Sequence, residues 1–112
     1  KNAVDSENYD DAASQLKSVV ANTSNTAIKD LANLRLARVQ MAQQSFDDAL
    51  ATLDLVGNQA FTAQVQEAKG DVYVQQELFD KARAAYSAAL EGNDNNPLLK
   101  MKLDNLAVAA NG

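Results

Sequence analysis

The chain contains no cysteine, no histidine and no tryptophan, and only one proline and four glycines in 112 residues. Without cysteine there is no disulfide, no thiolate nucleophile and no thiolate-bound zinc or iron–sulfur centre. Without histidine, the usual base near neutral pH and the commonest transition-metal ligand are missing. So little Gly and Pro leaves few of the turn formers that an all-β chain needs. No run approaches the roughly 20 apolar residues of a membrane-spanning helix, and no signal peptide is visible. Basic residues number 10 against 15 acidic ones, for a net charge of −5. That balance argues against a nucleic-acid phosphate footprint, which needs a basic face. The chain opens at Lys1 and not at Met, so it is expected to be a processed or shortened product.

What is present favours helix. Apolar residues make up 46% of the chain, enough for a core, and 21 Ala with 13 Leu give a helix-forming composition. The length suits one domain, 1–112.

An internal repeat organises the sequence. Tyr9-Asp10-Asp11-Ala12, Phe46-Asp47-Asp48-Ala49 and Phe79-Asp80-Lys81-Ala82 each place Asp and then Ala behind an aromatic residue, at separations of 37 and 33 residues. Those periods bracket the 34 residues of the tetratricopeptide repeat, a helix–turn–helix unit. In such a unit the aromatic fills the corner between two helices. The Asp meets free amides and the positive dipole end of the second helix, and the Ala lets the helices approach. The third copy is the fullest, with Gly70 and Tyr73 ahead of it and Tyr86, Ala89 and Pro97 after it.

This organisation predicts an all-α, right-handed tetratricopeptide-like superhelix (an α–α solenoid) with a C-terminal capping helix. The expected divisions are a repeat remnant at 1–25, repeats at 26–58 and 59–96, and the cap at 97–109. Residues 1–7 read as the end of a truncated helix, followed by helices near 9–21, 26–43, 47–56, 60–76, 80–91 and 97–109. Asn25 or Thr26 is expected to cap the helix at 26, and Pro97 suits the first turn of the last. Leu99, Leu103 and Leu106 give that last helix an apolar stripe. At the other end, the helix bearing Tyr9, Ala13, Leu16 and Val20 lacks most of a partner, so self-association or fraying is expected there.

Catalytic and metal sites are not expected. The paired acids Asp10-Asp11 and Asp47-Asp48 read as helix starts, since adjacent helical residues do not converge on one ion. Asp94-Asn95-Asn96 lacks the spaced order of a calcium loop and reads as a polar turn. Ser14, Lys17 and Ser18 read as solvated helix positions.

The helix from Leu31 to Met41 carries two apolar stripes: Ala32, Leu36, Val39 and Gln43, and Leu31, Leu34, Arg38 and Met41. Lys29, Asn33 and Gln40 form a polar wedge between them. Two apolar sides suit a helix packed between neighbours. Part of the second stripe is expected to line a concave protein-binding groove, with Leu34, Arg38 and Met41 facing Glu67, Asp71 and Val74 of the next repeat. The alternative makes Arg38 a structural partner of Glu67 or Asp71.

The strings Leu31-Ala32-Asn33-Leu34-Arg35-Leu36-Ala37-Arg38-Val39-Gln40-Met41 and Pro97-Leu98-Leu99-Lys100-Met101-Lys102-Leu103-Asp104-Asn105-Leu106-Ala107 resemble the ancillary subunit of the bacterial Sec translocon. Phe46 to Asp54, Gly70-Asp71 and Lys81 to Tyr86 continue the resemblance, which covers most of residues 9–107. It implies a non-catalytic, cofactor-free domain on the periplasmic face of the inner membrane, held by a single N-terminal anchor. It also implies protein partners: the translocon and a membrane-anchored periplasmic chaperone of the prolyl-isomerase type. A generic repeat adaptor in another compartment is the competing expectation.

Overall fold

The computed structural model describes the backbone of residues 3–92 and 95–111, and the surroundings of the side chains at 8–92 and 95–108. Asp94 of the expected polar turn, and Asn93 before it, lie outside the described residues. Among the described residues there are six α-helices, one 3-10 turn and no strand. They are α1 (Ala3–Asn22), α2 (Thr26–Ala42), α3 (Phe46–Asp54), the turn Gln59–Phe61, α4 (Thr62–Gln75), α5 (Phe79–Gly92) and α6 (Pro97–Asn111). The chain forms two compact units, 1–58 and 59–112. The division falls at Gly57-Asn58, where the sequence breaks between helices.

In the first unit α2 packs against both α1 and α3. Asn25 caps α2: its side chain accepts a hydrogen bond from the Ile28 N–H at 3.0 Å, satisfying one of the amides a helix start leaves free. Small residues allow the close approach. Ala37 is 2% exposed and Ala49 is fully buried, as is Leu53. One expectation fails here. Tyr9-Asp10-Asp11-Ala12 does not begin a helix, because α1 runs unbroken from Ala3. The stretch ahead of Tyr9 holds neither Gly nor Pro, so nothing stops a helix already under way.

In the second unit α5 packs on α4 and α6 packs on α5. The core is Ala82, Tyr86, Ala89, Leu99 and Leu106, with Tyr73, Val74, Phe79, Leu90 and Leu103 against it. Pro97 opens α6, and the Asn96 side chain accepts from the Leu99 N–H at 3.1 Å, capping the helix.

The repeat is visible in the backbone. Between α2 and α3, Ser45 N–H reaches the Gln40 carbonyl and Gln44 N–H the Met41 carbonyl; between α4 and α5, Leu78 reaches Tyr73 and Glu77 reaches Val74. Both turns are Schellman closures, and each puts a residue that is not glycine in the left-handed region: Gln44 at φ 63° and Glu77 at φ 61°. These two residues lie 33 positions apart, the spacing of Phe46 and Phe79.

Candidate functional site

Helix α2 has unusual polarity. At about 100° per residue, Ile28, Leu31, Arg35, Arg38 and Ala42 fall within an arc of about 80°, and all five are exposed. Ile28 keeps 48% of its surface and Leu31 42%. The opposite side buries Asp30, Asn33 and Gln40 among Ala32, Leu36 and Ala37. The expected polar wedge is thus inside the unit where Asn33 and Gln40 are concerned. A buried amide must be hydrogen-bonded to be tolerated, and the Gln40 carbonyl oxygen accepts from the Thr52 hydroxyl of α3 at 2.6 Å. The Asp30 carboxylate accepts from the Asn58 N–H at 3.2 Å, holding the chain as it leaves the unit.

The outer arc joins two solvated aliphatic side chains to two guanidiniums. The single acid of α2, Asp30, is turned inward, so the arc is a basic and apolar stripe on an acidic chain. Arg35 forms no ion pair among the described residues, whereas Arg38, also exposed, does engage other groups. Arginine is among the residues in which protein–protein affinity concentrates, and aliphatic surface adds to it in proportion to the area removed from water.

The residues expected to form a groove are placed as follows. Leu34 is buried at 9% exposure, so it packs the unit and offers no contact surface. Its angular position differs from Arg38 by only about 40°, and the edge of the core falls between them. Met41 is half-buried beside it. In the second unit, Glu67, Asp71 and Val74 are half-buried on α4, and Val74 packs against the core cluster.

Glu67 and Asp71 have a partner the sequence reading missed. Lys102 of α6 donates to Glu67 Oε2 at 2.8 Å and to Asp71 Oδ1 and Oδ2 at 3.0 and 3.3 Å. The Tyr86 hydroxyl donates to Asp71 Oδ1 at 2.5 Å, and the Lys102 ammonium lies 5.8 Å from the centre of the Tyr86 ring. Burial opposes the charge on Lys102. The bonds to Glu67 and Asp71 and their negative charge outweigh it and hold the ammonium above the usual lysine value. The two acids therefore tie α4 to α6. Their spacing of four residues put them on one helix face, which was the available hint that a cation sits opposite.

Comparison with known proteins agrees with this architecture. The family model described as "Tetratricopeptide repeat-like domain" matches residues 1–108. The chain is 40% identical over 106 residues to the ancillary SecYEG translocon subunit of Neisseria gonorrhoeae, covering 91% of this chain and 51% of that protein. It is 34% identical over 109 residues to the subunit of that name in Escherichia coli, covering 94% and 52%. It is 27% identical over 113 residues to the one in Haemophilus influenzae, covering 95% and 53%. The chain thus spans about half the length of the curated relatives it matches. No solved structure gives a significant match.

Proposed function

The chain belongs to the tetratricopeptide repeat-like domain family, and from that premise we propose that it is the protein-binding part of an ancillary subunit of the SecYEG translocon. Its work is non-catalytic, in keeping with a family of interaction domains. The observation that carries this reading is the similarity to three ancillary translocon subunits over nine-tenths or more of the chain. The proposed setting is the periplasmic face of the bacterial inner membrane, with the anchoring span elsewhere in the protein. There the domain contacts the translocon and a membrane-anchored chaperone of the prolyl-isomerase type, linking translocation to periplasmic folding.

The outer stripe of α2 is the proposed contact. Docking there removes Ile28 and Leu31 from water, which is favourable in proportion to the apolar area covered. Arg35 and Arg38 attract acidic surfaces and set the orientation of the encounter. The test is capture of the translocon by the membrane-borne protein carrying Leu31→Asp together with Arg35→Glu. Both side chains are exposed, so the melting curve should stay near wild type, within about 0.5 kcal/mol, while captured translocon falls about tenfold or more. Undiminished capture would place the contact on another face.

A further inference from the structure

Helix α2 buries a carboxylate that meets no cation. Asp30 is 7% exposed, and its Oδ2 accepts from the Asn58 N–H at 3.2 Å. Among the described residues no lysine or arginine forms an ion pair with it. A buried charge is ordinarily paired as well as hydrogen-bonded, so the charge of Asp30 is only partly compensated. The carboxylate stands in the wall of a cleft of about 470 Å³, lined by Thr26, Lys29, Asp30, Leu55, Gly57 and Asn58. All six residues belong to the first unit, where the start of α2 meets the chain leaving α3.

The lining defines the occupant. The volume falls in the range of about 300–1,000 Å³ usual for ligand sites. Asp30 complements a positive group. One carboxylate is too few for a calcium or magnesium ion, which takes six or more oxygens, and no cluster of three acids gathers among the described residues. An organic cation fits better, because Leu55, 66% exposed, offers an apolar wall to the aliphatic stem behind such a charge. Gly57 leaves the cleft open: a Cβ there would meet no atom within 4 Å. Lys29 is half-buried on the same cleft without pairing with Asp30, since adjacent helical positions diverge by about 100°. Its charge repels a second cation, so the fitting ligand carries one positive charge on a neutral segment.

We propose that this cleft seats the guanidinium or ammonium group of a single Arg or Lys side chain of a partner protein, with Asp30 as its counter-charge. The site does not use Ile28, Leu31 or Arg35 of the outer stripe, so the two contacts stand or fall separately.

A blocked tripeptide with Arg between two Ala residues tests this, titrated into the 112-residue chain and followed by NMR. The amides of Gly57 and Asn58 should shift on titration. Exchanging Arg for citrulline, which keeps the shape and loses the charge, should weaken binding about tenfold or more. Asp30→Asn keeps an oxygen for the Asn58 N–H and should cause a similar loss, whereas Asp48→Asn, which removes an exposed acid of α3, should leave binding unchanged. Lys29→Gln should tighten binding, an effect that a merely structural Asp30 would not produce. Should Asp30→Asn fail to fold, Gly57→Val is the substitute: it fills the cleft without overlap and should abolish the shifts with an unchanged melting curve. Equal binding of the Arg and citrulline peptides would overturn the proposal. So would wild-type affinity in Asp30→Asn, equal losses in Asp30→Asn and Asp48→Asn, or an absence of shifts at millimolar peptide.

Discussion

Replacing Leu99 with alanine is expected to cost about 2–5 kcal/mol of stability. Leu99 is 1% exposed and packs with Ala82, Tyr86, Ala89 and Leu106. Three small or rigid neighbours cannot close over the space a leucine vacates, so the lost transfer energy is joined by the energy of an unfilled cavity. The loss falls on the docking of α6, and amides of that helix should exchange much faster than those of α4. Leu98→Ala is the paired control. Leu98 is one position away and 56% exposed, so its removal should change stability by no more than about 0.5 kcal/mol. Urea unfolding of both variants checks the pair. Similar costs at both positions would mean that the inner and outer sides of α6 are wrongly assigned.

Gly70→Ala should be the second large effect, about 1–3 kcal/mol unfavourable. A methyl group at position 70 would lie 2.4 Å from two ring atoms of Tyr86 and 3.0 Å from a third. The ring is 3% exposed and its hydroxyl is bound to Asp71, so it has little room to yield. Alanine favours helix over glycine by at most about 1 kcal/mol, too little to offset an overlap of that size. A double-mutant cycle identifies the cause. In a Tyr86→Leu background the ring is gone, and Gly70→Ala should become close to neutral. Equal cost in both backgrounds would contradict the steric account. In the sequence Gly70, Tyr73 and Tyr86 stand only as repeat positions; the structure brings Gly70 of α4 against the Tyr86 ring of α5.

Helix pairing was readable because it depends on local chemistry. The alanines at 49, 82 and 89, all fully buried, declare themselves by their distance from Phe46 and Phe79. Asn25 and Pro97 mark helix starts through capping and a fixed φ. The copy at Tyr9 misled because identical letters mean different things inside a running helix and after a turn. The faces of α2 were harder to read. A rule that turns apolar residues inward fails on a helix that buries Asp30, Asn33 and Gln40 and exposes Ile28 and Leu31. The Thr52 hydroxyl and the Asn58 amide, brought in by the fold, make the burial of Gln40 and Asp30 acceptable. Lys102 was unreadable for a similar reason. Nothing in Lys100-Met101-Lys102 distinguishes the lysine that meets Glu67 and Asp71 from the one that faces solvent.

The proposed contact with the translocon machinery is the outward side of α2. It is tested most directly by photo-crosslinking in cells, with a photoreactive residue placed in the membrane-borne protein at Leu31, at Arg35 or at the exposed Asp48 of α3. The account predicts adducts with SecYEG subunits or the membrane-anchored chaperone from positions 31 and 35, and none above background from position 48. Adducts from position 48 alone, or equal yields from all three, would contradict it.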